Sequence, residues 1–247
     1  MDAADGDSER AGGSAVSDAG PLAADADGRT PFWRRRWKVL VALNLVAAAL
    51  LGAAAWSLAK HLSPPQLRGA ILTPPVHAYT FQLPDQNGRM VSLEDFRGKV
   101  VALTFLYTHC PDVCPLTADK LHQTYLRLGE TARRVAFVAI SVDPHGDTPA
   151  AVQGFLAGHH VERELVYLVG SFAQLRPVWA NYYVGSDAKE VNPAAVAAST
   201  PTPQQVGHTA IVYIIDPKGE IRAFLPGNFD TKDLETDLRL LISGAVR

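Results

Sequence analysis

The chain is 247 residues long, enough for one or two domains. Lys and Arg number 23 against 25 Asp and Glu, a formal net charge of -2, so bulk charge gives no case for a nucleic-acid partner. Only two cysteines are present, which excludes a disulfide-dense scaffold.

The N-terminal segment is acidic. Asp2, Asp5, Asp7, Glu9, Asp18, Asp25 and Asp27 stand against Arg10 and Arg29 in a background of Ala, Gly and Ser. Such a segment cannot bury enough apolar surface to offset chain entropy, so it reads as disordered. With the basic flank Arg34, Arg35, Arg36 and Lys38 it makes a tail over residues 1–38. Residues 39–59 contain no ionisable side chain, and about 20 apolar residues suffice to span a bilayer as one helix. The basic flank places the N-terminal end in the cytoplasm, and Trp33, Trp37 and Trp56 suit the interfacial belts. A cleavable signal peptide is the alternative, with Ala53–Ala55 as a cleavage site. Its apolar region is normally about 7–15 residues, so an uncleaved anchor is the reading taken here. Either way the rest of the chain leaves the cytoplasm, for a bacterial periplasm or an intermembrane space. Residues 60–76, with Pro64-Pro65 and Pro74-Pro75, read as a stiff linker.

From 77 to 247 the pattern is one α/β domain. Tyr79–Leu83 and Met90–Leu93 flank the turn signal Asp85–Arg89 as a hairpin. A buried run from Lys99 to Tyr107 follows, then an amphipathic helix from Leu116 to Leu128. Val135–Val142 is apolar throughout, as in a strand covered on both faces. Thr148 and Pro149 are the N-cap and N1 signals of a helix reaching His159. Leu165–Val169 is a short strand, and Ser171 caps a helix through Asn181. Ala210–Ile215, the turn Asp216–Gly219 and Ile221–Phe224 form a second hairpin, and Thr231–Ser243 a last helix. Leu234, Leu238, Leu240, Leu241 and Ile242 lie mostly on one face of that helix and read as core.

Both cysteines fall in one stretch, Thr108-His109-Cys110-Pro111-Asp112-Val113-Cys114-Pro115, between a strand and a helix. Helix N-termini carry unpaired N–H groups and a partial positive charge, which favour a thiolate. At i and i+4 of a helix the two Cβ atoms would be about 5–6 Å apart. The pair could close a disulfide or grip one soft metal ion. Pro115 disfavours helical geometry at Cys114, so the loop is expected to be tight and partly irregular, with both sulfurs near the surface. A disulfide over so short a loop would remove little chain entropy, which makes the pair functional rather than a staple. Strand, Cys pair and helix in a βαβ setting give a thioredoxin-like fold with added hairpins, preceded by a single N-terminal transmembrane helix.

The cysteine stretch resembles the signature of the SCO1/SenC family, membrane-anchored thioredoxin-like copper proteins that help assemble the Cu-A centre of cytochrome c oxidase. The resemblance continues through Phe81 and Leu83, Gly88, Gly98-Lys99, Ser141-Val142-Asp143-Pro144, Asp147-Thr148-Pro149, His208 and Ile215–Gly219, over roughly 77 to 235. It implies one copper per chain, as Cu(I) or Cu(II), held by Cys110, Cys114 and His208. It also implies a Cu-A-bearing oxidase subunit as client, with other copper chaperones or thioredoxin-like reductants as further partners. This chain departs from the family pattern in three places, one being Asn192–Gln205, which is Ala-, Pro- and Thr-rich where the family often has an aromatic. Gly207 stands before His208 where the family has an acidic residue, and His145-Gly146 occupies a turn where it has Arg. A missing carboxylate beside His208 would lower metal affinity if it orients the imidazole. Asp112 and Asp143 are either electrostatic tuners of the site or an ordinary helix-start and turn Asp. His109 is expected to point away from Cys110, and His122, His145, His159 and His160 to be solvated surface residues.

The same dithiol supports two further readings. One is a thiol-disulfide oxidoreductase using Cys110 and Cys114 as a redox pair. The other is a redox or copper sensor. A peroxide-reducing enzyme is disfavoured, because Tyr107 stands three before Cys110 where that pattern has Thr. Only two Met residues exist, so there is no Met-rich copper tract.

Overall fold

The computed structural model describes residues 32–62, 65–188 and 207–246, in two units divided after Leu62. The acidic tail expected over residues 1–38 lies outside the described residues as far as 31, and so does the Ala-, Pro- and Thr-rich segment 192–205.

The first unit is one helix, α1 (Phe32–Leu62), of 31 residues, about 46 Å at about 1.5 Å per residue. Within it Arg36–Lys60 is long and apolar enough to cross a membrane, and no other described helix is. The helix overruns the expected 39–59 at both ends. Arg and Lys are good helix formers, so the basic flank extends the helix rather than ending it.

The second unit begins with β1 (Ala70–His77), which corrects the linker assigned to 60–76. β2 (Gln82–Pro84) and β3 (Met90–Ser92) form a separate two-stranded hairpin. The alternation then runs through β4 (Val100–Leu106), α2 (Val113–Leu128), β5 (Val135–Ser141), α3 (Pro149–Gly158), β6 (Leu165–Leu168) and α4 (Phe172–Asn181). It closes with β7 (Ile211–Ile215), β8 (Glu220–Pro226) and α5 (Thr231–Ser243). The six-stranded sheet has the order β1-β8-β7-β4-β5-β6. β4, β5 and β6 are parallel, while β7 runs antiparallel to β4, β8 to β7 and β1 to β8.

Each residue of β4 and β5 is buried, the two-face covering that their uninterrupted apolar runs demand. β1 could be missed because its Pro74 and Pro75 cannot donate to a ladder. Its register with β8 slips between Ile71 and Val76, and proline is tolerated at just such an edge. The strand is pinned where it enters: the Arg68 and Gly69 N–H groups donate to the Asp237 carboxylate on α5, at 2.6 and 2.9 Å. A Cβ at Gly69 would lie 2.8 Å from the Phe224 carbonyl oxygen, so only glycine fits that approach.

This topology gathers the site. β4 and β5 end at the same edge of the sheet, where the Val142 N–H donates to the Leu106 carbonyl at 2.9 Å. β7 is antiparallel to β4, with Val212 opposite Thr104, so the residues before β7 reach that same edge. Three loops meet there: 107–112, 142–148 and 207–210.

Candidate metal centre

α2 starts at Val113, three residues before the expected Leu116, so Cys114 and Pro115 lie in its first turn. The missing N–H of Pro115 is harmless there, since first-turn donors have no intrahelical acceptor. Asp112 is the N-cap, but its side chain makes no cap bond and is exposed. The two sulfurs were expected near the surface. They are buried instead: Cys110 is 7% exposed and Cys114 fully enclosed. The loop before β7 supplies part of that cover, which spacing along the chain cannot reveal.

Both thiols are free. The Cys114 N–H points at the Cys110 sulfur at 3.4 Å, which is how the helix N-terminus meets the first cysteine. Burial pushes the Cys110 thiol up. Hydrogen bonds from the Asp112 and Cys114 N–H groups, and from the Cys114 and Tyr107 side chains, outweigh it and bring Cys110 below its ordinary value. Burial pushes Cys114 far above its own. The pair is therefore asymmetric, with an easily ionised Cys110 beside a protonated Cys114.

His208 closes the group from across the sheet edge. Its Nε2 lies 3.5 Å from the Cys114 sulfur, and its Nδ1 is 3.2 Å from the Thr209 carbonyl oxygen. A carbonyl only accepts, so Nδ1 carries the proton and Nε2 turns a lone pair toward the sulfur. Burial holds the imidazole below its usual pKa, against the raising influence of the Thr209 carbonyl and the Asp187 charge. The Tyr107 ring meets His208 edge to face, with centroids 5.7 Å apart. Cys114 thus meets Cys110 on one side and His208 on the other, although 94 residues separate it from the histidine.

The backbone around His208 is tied by one bridge, Ser186 to His208. The Asp187 N–H donates to the Gly207 carbonyl at 3.2 Å, and the Gly207 N–H donates to Asp187 Oδ1 at 2.7 Å. A Cβ at Gly207 would lie 3.2 Å from Asp187 Oδ2. The carboxylate that Gly207 cannot supply therefore stands near His208 from the segment after α4. Nothing in the sequence pointed to Asp187, because its place depends on a bridge between residues far apart in the chain.

The third loop is built on carboxylates. Asp147 is buried and accepts from the Thr108 N–H at 2.8 Å, the Ser141 hydroxyl at 2.6 Å and the Tyr167 hydroxyl at 2.9 Å. Burial pushes its pKa up. Asp143 Oδ1 accepts from the N–H groups of His145 and Gly146, the ordinary turn role. His145 was expected to be solvated, yet its Nε2 is buried without a hydrogen-bond partner among the described residues. His122 and His159 pair with Glu164 and Asp119, at 2.9 and 2.7 Å. His109 is exposed, with Nδ1 3.1 Å from the Thr108 hydroxyl.

A family model described as SCO1/SenC matches residues 71–243. The mitochondrial protein SCO2 of Saccharomyces cerevisiae is 31% identical over 152 residues, covering 61% of this chain and 48% of that protein. The matched stretch is thus about half of that relative. The structure of Bradyrhizobium japonicum ScoI with copper bound shares 30% identity at a TM-score of 0.56, covering 67% of this chain and 99% of that one. The apo Sco1 protein from Thermus thermophilus shares 28% at a TM-score of 0.60, covering 71% and 97%.

Proposed function

The chain belongs to the SCO1/SenC family, and from that premise we propose that it is a metallochaperone whose cargo is one copper ion, held by Cys110, Cys114 and His208. The observation that carries this reading is the approach of His208 Nε2 to the free Cys114 sulfur, at 3.5 Å, beside a second free thiol at Cys110. The donor set fits the ion: thiolates are soft ligands that suit Cu(I), and imidazole suits either copper oxidation state. Binding copper releases the thiol protons, most easily from Cys110. Three ligands leave room for a fourth from a client, so the ion can pass by stepwise ligand replacement. The family resemblance makes the Cu-A-bearing subunit of cytochrome c oxidase the client. α1 is the membrane anchor, with Arg36 and Lys38 on the cytoplasmic side and residues beyond 62 outside the cytoplasm.

A second reading rests on the asymmetry of the two thiols. A Cys110 thiolate can attack a client disulfide, forming a mixed disulfide and releasing one client thiol. Cys114 then displaces the other, so the client gains two electrons and two protons and a Cys110–Cys114 disulfide remains. That disulfide cannot bind copper, which couples metal loading to redox state.

The test uses the full chain in detergent, reduced, loaded with copper anaerobically and desalted. One retained copper per chain, lost in Cys110→Ser/Cys114→Ser and sharply reduced in His208→Ala, is the expected result. No retained copper, with a dithiol that readily reduces a test disulfide, would leave the oxidoreductase reading alone.

A further inference from the structure

Beside the sulfur site, and sharing no side chain with it, lies a second group of donors: His109, Asp143 and Asp147, each with one ligand atom within 4.8 Å of the others. A cluster of carboxylates alone would mean little. Here one oxygen is unaccounted for. Asp143 is 3% exposed, and its Oδ2 is buried with no hydrogen-bond partner among the described residues, although Oδ1 accepts two backbone N–H groups. A buried carboxylate oxygen without a donor is costly, and native structures rarely leave one so.

The direction of that oxygen is fixed by Gly146. A Cβ there would stand 2.1 Å from Asp143 Oδ2 and 3.2 Å from His109 Nδ1. Both atoms therefore face the space over the Gly146 α-carbon, and any larger residue would fill it. Asp147 is held from behind by the Thr108 N–H and the Ser141 and Tyr167 hydroxyls. These bonds fix the orientation of its carboxylate. His109 is exposed, which gives an ion a route in from solvent.

We propose that His109, Asp143 and Asp147 form a second metal site, one that takes a divalent first-row ion through nitrogen and oxygen. One imidazole and two carboxylates suit Zn2+ or Cu2+ and offer nothing soft to Cu+. The ion supplies the charge that the Asp143 oxygen lacks. Because His109 precedes Cys110 and Asp147 binds the Thr108 N–H, one loop carries parts of both sites.

The test uses the full chain in detergent as Cys110→Ser/Cys114→Ser, which removes the sulfur ligands, stripped of metal and titrated with Zn2+ by calorimetry. One Zn2+ per chain is expected. It should weaken by at least about tenfold on adding either His109→Ala or Asp143→Asn, and stay unchanged on adding His159→Ala. His109 is exposed, so its variant tests the site without disturbing the interior. No Zn2+ binding in the parent variant overturns the proposal. So does binding that survives both His109→Ala and Asp143→Asn, which would place the ion elsewhere. Retention of Cu+ by the reduced wild-type chain bears on the sulfur site alone, so the two readings fail separately.

Discussion

The two halves of the sulfur site are held very differently. Cys110 and Cys114 belong to one short turn, locked by the Cys114 N–H on the Cys110 sulfur and by a helix that continues to Leu128. Among the described residues, His208 comes from a segment tied by the Ser186–His208 bridge, with the Asp187 and Thr209 N–H groups on the Gly207 and Gly185 carbonyls, and by the Gly207 N–H on the Asp187 carboxylate. Packing also differs, with Cys114 fully enclosed and Gly207 and Thr209 exposed. A metallochaperone, as proposed above, must both hold and release its ion, which calls for one firm side and one yielding side. Local opening is drawn from segments with few buried contacts, which makes the His208 side the one expected to give way to a client.

The largest effect should come from breaking the firm side. Cys110→Ser/Cys114→Ser is expected to abolish copper retention after desalting, with the fold intact by circular dichroism. Breaking the yielding side should hurt less. His208→Ala is expected to retain dithiol chemistry while weakening copper at least about tenfold in a competition titration, the scale of loss for a metal site's supporting groups or more. Asp187→Ala sharpens the comparison further, because it removes the acceptor of the Gly207 N–H but no ligand. A loss up to about tenfold is expected, alongside faster copper release to a chelator. An unchanged release rate would remove Asp187 from the account.

The smallest effect is within the firm side. The depressed pKa of Cys110 means more thiolate at neutral pH than a free cysteine has, and the raised pKa of Cys114 means less. Iodoacetamide at pH 7.5 should therefore label Cys110 first, by peptide mapping, and its rate should level off below the pH of an ordinary thiol. Preferential labelling of Cys114 would reverse the assigned asymmetry.

Much of this was legible in the sequence where the cause is local. Thr148 caps α3 as its side chain predicts, accepting from the Ala151 N–H at 3.2 Å, and Ser171 caps α4 in the same way. The apolar runs of β4 and β5 and the core face of α5 follow from side-chain period alone. β1 was not legible, because two prolines read as linker unless a neighbouring edge is known to wait for them. The start of α2 is three residues earlier than the pattern suggests, because Pro115 sits in the first turn, where its missing N–H breaks no bond. The three sulfur-site residues could be picked out by the spacing of the cysteines and the family resemblance. Their burial, Asp187 and the bare oxygen of Asp143 depend on loops meeting at the sheet edge, which no local pattern encodes.

The most direct test of the central claim is X-ray absorption at the copper edge of the full chain, reduced and loaded with one equivalent. Two sulfurs and one imidazole nitrogen in the first shell are predicted, with the nitrogen lost in His208→Ala. A first shell of nitrogen and oxygen only, unchanged in that variant, would contradict it.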